Sequence, residues 1–162
     1  MSVQLIRYCA VIPAPFGVMG VRTEAGLLKE LVYLPADCAL KDAVTECADK
    51  TVRQLQNYFN DPRFQFDLPL AQQGTSYQHK VWKAICAIPI GHIATYGQIA
   101  RQIASAPRAV GQACGANFYP LIIPCHRVTA ANGLGGFANH DQADSYPLKI
   151  KRWLLSHEGA HY

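Results

Sequence analysis

The chain has 162 residues, of which half are apolar and 16% are charged, so it can bury one ordinary core or two small ones. Mean hydropathy is near zero, and no apolar run has the length of a membrane span. The opening MSVQLIRYCAVIPAPFG has one early arginine and a broken apolar stretch, which is not typical of a signal peptide. We therefore expect a soluble cytoplasmic protein with no membrane partner, associated with the nucleoid if the source is bacterial.

The first part of the chain predicts a sheet and one helix. Three runs predict strands: residues 6–12, 18–24 and 27–35. Ala25 and Gly26 lie between the last two runs, which indicates a hairpin. Apolar residues at helical spacing over 42–60 predict a helix with Asp42 as its cap. The polar stretch DLPLAQQGTS (67–76) follows, and we place the lobe boundary there, giving lobes over 1–72 and 73–162.

The second part reads as mainly helical. Four segments have helical patterns: residues 76–88, 95–106, 107–117 and 148–159. Ser76 is a candidate cap, Pro107 stands at a favoured first position, and Gly159 closes the last helix. The two short central helices resemble a helix-turn-helix. PLIIPCH (120–126) predicts a short buried strand, and a glycine-rich loop follows it. The fold class is therefore α+β.

The charge is divided unevenly between these parts. Residues 1–74 carry seven Lys/Arg against eight Asp/Glu, whereas residues 75–162 carry eight against three. Asp67 and Asp141 bound a window without any acidic side chain. Five basic residues lie inside it: Lys80, Lys83, Arg101, Arg108 and Arg127. A basic segment free of acids is typical of a protein that binds nucleic acid.

Six cysteines occur, and no CxxC pair is present. Without an export signal we expect free thiols, most of them in the core, and no metal site. Cys125 and His126 are adjacent, however, which leaves three interpretations open: a nucleophile with its base, two metal ligands, or a buried thiol. Since neighbouring side chains of an extended segment point to opposite faces, a nucleophile and base here require a turn or a bridging water. Three acids in this half, Asp141, Asp144 and Glu158, are available to orient the imidazole, and Glu158 lies on the best-defined element.

Several blocks in order resemble the O6-alkylguanine-DNA alkyltransferases, the methylated-DNA–protein-cysteine methyltransferases. The blocks are KVWKAICAIPIGHIATYGQIA (80–100), RAVG (108–111), IPCHRV (123–128) and KRWLLSHEG (151–159). The likeness is strong over 75–160 and loose over the first 70 residues. It implies an RNase H-like N-terminal lobe, a helical DNA-binding domain with a helix-turn-helix, and no cofactor.

The resemblance also implies a role for individual residues. Cys125 would accept the alkyl group, His126 would act as its base through a water, and Glu158 would orient the imidazole. Asn117 would brace the active-site turn, and Tyr96 would donate a proton to the leaving guanine. Arg108 would fill the gap left by an extruded base. The other implied DNA contacts are Tyr96, Ala109, Gly111, Gln112 and Arg127, and the implied substrate pocket is formed by Pro124, Phe137, Ala138 and Lys151.

Three features depart from the family pattern. Tyr96 and Arg108 lie closer together than in better-known members, NFYP (117–120) replaces an expected Asn-Pro, and NHDQADSYP (139–147) lengthens the link to the last helix. They leave the alkyl-size preference open and leave the nucleophile in place.

The sequence as a whole predicts a DNA-repair protein that takes the alkyl group of O6-alkylguanine irreversibly onto Cys125, once per molecule, after the base has been flipped out. Its partner would be double-stranded DNA containing alkylated guanine, and the protein would work as a monomer. The alternatives are an alkyltransferase-like protein that binds damage without transfer, and a cysteine hydrolase.

Overall fold

The fold belongs to the mixed α+β class that the sequence predicts. The computed structural model describes residues 7–135 and 145–162. The chain divides into two units, Met1–Gln73 and Gly74–Tyr162. No helix within the described ranges has both the length and the apolar character needed to cross a membrane.

The first unit contains an antiparallel sheet of order β1-β2-β3. Its strands are β1 (Ala10–Ala14), β2 (Gly17–Glu24) and β3 (Leu27–Leu34). The predicted hairpin between β2 and β3 is confirmed. Ala25 and Gly26 both adopt positive φ, 51° and 77°, as a two-residue turn of type I′ requires, and that turn matches the twist of the strands.

Helix α1 (Glu46–Asn60) packs against all three strands. The sequence correctly predicts this helix but places its cap wrongly at Asp42. The cap is Thr45, whose hydroxyl accepts a hydrogen bond from the Ala48 backbone N–H at 3.0 Å. Because a cap satisfies amide groups of the first helical turn, it must stand immediately before that turn, and Asp42 is too far upstream.

Four helices lie in the second unit: α2 (Ser76–Cys86), α3 (Tyr96–Gln102), α4 (Pro107–Gly115) and α5 (Tyr146–His157). Thr75, not Ser76, caps α2 through a capping box with Gln78. Pro107 opens α4, as predicted. The indole Nε1 of the buried Trp82 donates to the Ala113 carbonyl at 2.9 Å, which fixes α2 against the end of α4.

The segment before Cys125 is not the strand that its apolar residues predict. Leu121 has φ of 77°, and Pro124 has no backbone N–H to contribute to a ladder. The chain turns instead into a 3₁₀ helix, Cys125–Arg127, and then forms the two-residue strand β5 (Val128–Thr129). β5 pairs in parallel with β4 (Ala94–Thr95). The apolar residues before Cys125 therefore form an irregular turn, and this turn places Cys125 in the interior of the second unit.

Candidate active site

Cys125 opens the 3₁₀ turn and is 5% exposed. Its backbone N–H donates to the Ile123 carbonyl at 2.8 Å, which tightens the chain just before the thiol. In an extended segment the adjacent side chains of Cys125 and His126 would point to opposite faces. The turn removes that restriction, because both residues belong to a 3₁₀ helix. Both side chains are buried in the same unit.

Asn117 connects the end of α4 to the thiol. Its Nδ2 donates to the Ile123 carbonyl at 2.8 Å and to Cys125 Sγ at 3.3 Å, while its Oδ1 accepts from the Tyr119 N–H at 2.8 Å. One amide side chain thus holds both ends of the segment that precedes Cys125. This is the geometry of a brace, the role that the resemblance implies.

His126, Glu158 and Arg127 form a buried network. His126 Nε2 donates to Glu158 Oε2 at 2.8 Å. Arg127 binds the same carboxylate through Nε at 2.8 Å and Nη2 at 3.1 Å, and its Nη1 donates to the Ile88 carbonyl at 2.7 Å. A carboxylate paired with a guanidinium in this forked manner is held in its ionised form. Glu158 caps the C-terminus of α5, so the helix end fixes the position of the network.

The network determines which nitrogen of His126 carries the proton. Burial lowers the pKa of His126, while the hydrogen bond to Glu158 acts in the opposite direction. The neutral imidazole has one N–H, and the ionised carboxylate can only accept. The proton therefore belongs to Nε2, which leaves Nδ1 with a free lone pair. Nδ1 is buried and has no hydrogen-bond partner among the described residues.

Arg127 does not occupy the place expected of a DNA contact. It is 9% exposed, and its guanidinium donates hydrogen bonds to Glu158 and to the Ile88 carbonyl. A side chain that must leave a buried ion pair to reach a phosphate would leave Glu158 uncompensated, at high cost. The sequence prediction for Arg127 is therefore corrected: it is a structural partner of Glu158.

A second thiol affects the first, and the sequence did not single it out. Cys114 stands in the last turn of α4. Interaction with Cys114 and burial raise the pKa of Cys125 well above its ordinary value, and the Asn117 amide acts in the opposite direction. A signal was present in the sequence, because Cys114 stands three residues before Asn117, on the helix that leads into the brace.

Tyr96 and Lys151 are two further titratable residues that interact electrostatically with Cys114 and Cys125. Burial, followed by the charges of Cys114 and Cys125, raises the pKa of Tyr96 above its usual range, so the phenol keeps its proton. Burial lowers the pKa of Lys151 to about 8. The Lys151 Nζ lies 5.9 Å from the Tyr96 ring centroid and donates to the carbonyls of Val128 at 2.7 Å and Leu134 at 2.8 Å.

Helix α4 presents a different face to solvent. Arg108 and Gln112 are exposed one turn apart, and Ala109 and Gly111 between them are small. Beside this face lies a surface pocket of about 340 Å³. It is lined by Thr75, Tyr77, Gln78, Ala109, Gln112 and Ala113. A hydrogen bond of 2.6 Å between the Tyr77 hydroxyl and Ser105 Oγ ties the start of α2 to the turn before α4.

The remaining predicted pocket residues are only partly covered by the structure. Pro124 is buried directly before Cys125. Phe137 and Ala138 lie outside the described residues. Within the described part of the chain, no group of three or more His, Cys, Asp or Glu side chains is arranged to hold a metal ion.

Comparison with known proteins matches residues 76–160 to a family described as "6-O-methylguanine DNA methyltransferase, DNA binding domain". A methylated-DNA–protein-cysteine methyltransferase of Methanosarcina mazei is 47% identical over 108 residues, 65% of this chain and 64% of that protein. One of Methanosarcina barkeri is 39% identical over 93% of this chain and 96% of its own length. The crystal structure of Mycobacterium tuberculosis OGT in complex with DNA has a TM-score of 0.76 at 35% identity, covering 92% of this chain and 91% of that one.

Proposed function

This chain belongs to the 6-O-methylguanine DNA methyltransferase family, and we propose that it repairs DNA by moving the alkyl group of O6-alkylguanine onto Cys125. The observation that carries the proposal is the buried thiol beside a His126 imidazole that Glu158 and Arg127 hold with Nδ1 free to accept a proton. The relatives in M. mazei and M. barkeri have the same reaction in their names.

The first step is formation of the thiolate. Because the pKa of Cys125 is raised, by its interaction with Cys114 and by burial, the resting sulfur carries a proton and needs a base. In the proposed route that proton passes through a water to His126 Nδ1. The imidazolium so formed is stabilised by Glu158, whose carboxylate already accepts from Nε2.

The second step is displacement at the alkyl carbon. The Cys125 sulfur forms a bond to that carbon, the bond from the carbon to O6 breaks, and its electron pair goes to the guanine. Tyr96, which keeps its proton in the resting protein, supplies a proton to the leaving base, and the proton that His126 took from Cys125 returns through solvent to the phenolate. A thioether is a poor leaving group, so the sulfur stays alkylated and each molecule acts once. No step requires a cofactor.

The damaged base must leave the duplex to reach a thiol that is only 5% exposed. We assign the entry to a helix-turn-helix formed by α3 and α4, with the slim, exposed face of α4 in the minor groove. Arg108 would take the space of the extruded base, at a few kcal/mol of unstacking. Ala109 and Gly111 would permit close approach, and Gln112 would contact the groove.

The proposal assigns the two parts of the chain different tasks. Residues 73–162 would form the DNA-binding alkyltransferase domain. Residues 1–72 would form an RNase H-like lobe that supports it. One protein per lesion needs only a monomer, and the substrate places the protein with the DNA, in a bacterium the cytoplasmic nucleoid.

Intact-protein mass spectrometry after mixing with a duplex containing O6-methylguanine tests the proposal. We expect a gain of one methyl group that saturates at one equivalent of DNA, and no gain with undamaged duplex. Tight binding of the damaged duplex without a mass gain would instead indicate a damage-binding protein. Repeated turnover of an ester or amide, with no need for DNA, would indicate a cysteine hydrolase.

A further inference from the structure

Arg127 binds the carboxylate on which the His126 imidazole depends. Two flat groups meet side by side: Arg127 Nε donates to Glu158 Oε1 at 2.8 Å, and Nη2 donates to Oε2 at 3.1 Å. Oε2 also accepts from His126 Nε2 at 2.8 Å. The guanidinium and the imidazole therefore share one carboxylate oxygen, and the forked contact fixes the rotation that points this oxygen at the ring.

Arg127 is itself held by the chain that follows α2. Its Nη1 donates to the Ile88 carbonyl at 2.7 Å, and the Ile88 N–H donates to the Ile85 carbonyl, within α2, at 3.0 Å. Three residues further on, Gly91 has φ of 84°, and a Cβ atom there would lie 3.3 Å from the Glu158 backbone oxygen. Both partners of the ion pair are thus in contact with the segment that leaves α2.

We propose that Arg127 is a positioning residue for the transfer. It holds the Glu158 carboxylate ionised and turned toward His126, so that the imidazole stays neutral, keeps its proton on Nε2, and leaves Nδ1 to accept the proton of Cys125. The inference rests on the proposed transfer to Cys125, and it adds to that reaction a residue that acts only through Glu158.

The charge of Arg127 acts on His126 in a definite direction. Burial is the largest cause that lowers the pKa of His126; Glu158 raises this pKa, and Arg127 and Lys151 lower it further. Helix α2 also packs against the turn, and its Cys86 thiol interacts with the Arg127 guanidinium. Without the Arg127 charge, the buried carboxylate would either draw a second proton onto the imidazole or take one itself.

Either result would disable the base. An imidazolium has a proton on each nitrogen, and a protonated Glu158 would donate to Nε2 and move the imidazole proton to Nδ1. In both cases Nδ1 accepts the Cys125 proton only at a higher pH than in the native protein. A residue that merely supported the fold would change stability and leave that pH where it is. The protonation of Nδ1 therefore distinguishes positioning from support.

The first experiment follows His126 by ¹⁵N NMR of the full-length protein, because the chemical shift of a ring nitrogen shows whether it carries a proton. The signal is assigned by its loss in His126→Gln. In the native protein we expect Nδ1 to gain a proton only below the ordinary histidine value of 6.5. The matched pair is Arg127→Gln, which removes the charge and keeps a hydrogen-bond donor, and Arg127→Lys, which keeps the charge and loses the fork.

The two variants should differ in this titration. In Arg127→Gln, Nδ1 should stay protonated to a higher pH than in the native protein, whereas Arg127→Lys should titrate close to the native protein. Lys83→Met, which removes an exposed charge from α2, should not differ from it. Amide spectra show which variants are folded, and Arg127→Lys is compared with the native protein by itself if Arg127→Gln does not fold. A native titration in Arg127→Gln, or an equal shift in Lys83→Met, would overturn the proposal.

The second experiment measures transfer from free O6-benzylguanine, which requires no DNA. For Arg127→Gln the rate at low pH should fall about tenfold for each pH unit by which Nδ1 protonation moves, and it should recover as the pH rises. Arg127→Lys should react more slowly than the native protein at every pH, without a displaced profile. A loss with duplex DNA and none with the free base would make Arg127 a DNA contact and refute the positioning role.

The two experiments fail independently. If the native protein takes no alkyl group from any substrate while Arg127→Gln still shifts Nδ1, the proposed function fails and the control of His126 by Arg127 stands. If transfer proceeds and Nδ1 does not shift, the proposed function stands and the positioning role is wrong.

Discussion

The 3₁₀ turn at Cys125–Arg127 and the outer face of α4 are neighbours in sequence but differ in almost every physical respect. In the turn, charged groups are buried and each has a defined partner: Arg127 with Glu158, Glu158 with His126. On α4, Arg108 and Gln112 are exposed and separated by small residues. The first region is arranged before any substrate arrives, and the second is arranged to meet a partner.

The contrast explains why the two regions tolerate change differently. A reacting group needs a fixed position and a fixed protonation state, which burial and complete hydrogen bonding provide. A DNA-binding surface needs charge and close approach, which exposed side chains and small residues provide. Changes in the turn should therefore reduce stability as well as activity, whereas changes on α4 should affect DNA handling and leave the fold intact.

The largest expected effect is that of Arg127→Met. Removing one partner of a buried ion pair typically costs about 3–5 kcal/mol of the free energy of unfolding, since Glu158 would be left uncompensated. Urea denaturation measures it. Arg101→Met, which removes an exposed guanidinium in the same unit, should change stability by about 0.5 kcal/mol or less. If Arg127→Met is as stable as the native protein but binds DNA more weakly, the result would support the DNA contact predicted from the sequence.

Lys151→Met should have the next largest effect. It leaves the buried Val128 carbonyl without its donor, at about 1–3 kcal/mol, and the part-buried Leu134 carbonyl loses the same donor at a smaller cost. Lys149→Met, at an exposed site on the same helix, is the matched control.

The pH dependence of the free energy of unfolding tests the lowered pKa of Lys151. The pKa of Lys151 in the folded protein is about 8, below the ordinary lysine value. At a pH between those two values the unfolded chain binds more protons than the folded protein. The contribution of Lys151 to the free energy of unfolding therefore rises with pH. The contribution is complete above the ordinary lysine value and is lost as the pH falls through about 8. Urea midpoints of the native protein and Lys151→Met should therefore converge or cross as the pH falls. Parallel pH profiles would contradict the assigned shift.

Arg108→Ala tests the exposed face of α4 as a DNA-binding surface. It should slow transfer from duplex DNA by roughly tenfold or more, since base extrusion costs a few kcal/mol, and should leave the urea midpoint unchanged. Reaction with free O6-benzylguanine, which needs no extrusion, should change little. Equal slowing with both substrates would refute the role in base extrusion, and Arg101→Ala on α3 provides a control with the same charge change.

The smallest effect concerns the pH profile of Cys125 itself. The interaction with Cys114 is the largest of the causes that raise its pKa, so Cys114→Ala should shift the alkylation of Cys125 by iodoacetamide to lower pH. The rate of Cys125 modification, measured by peptide mass spectrometry across the alkaline range, gives the shift. An unchanged or upward shift would show that burial alone sets the thiol's pKa.

Local patterns predicted the hairpin and the helices, because turn residues and helical spacing carry their information within a few positions. They failed where the determinant is distant in sequence. The apolar run before Cys125 looks like a strand, but Asn117 and Pro124 bend it into a turn. The sequence indicates a DNA contact at Arg127, but in the folded protein its guanidinium binds Glu158, 31 residues away. Cys114 gained significance only through its effect on the pKa of Cys125 in the folded protein.

The most direct test of the account is the position of the transferred methyl group. Cys114 affects the pKa of Cys125, yet the proposal assigns the alkyl group to Cys125 alone, the thiol next in sequence to the His126–Glu158 pair. After reaction with an O6-methylguanine duplex, peptide mapping should find the methyl group on Cys125 and none on Cys114, and Cys125→Ala should bind the duplex without being methylated. Methylation of Cys114 in the native protein, or transfer that persists in Cys125→Ala, would contradict the account.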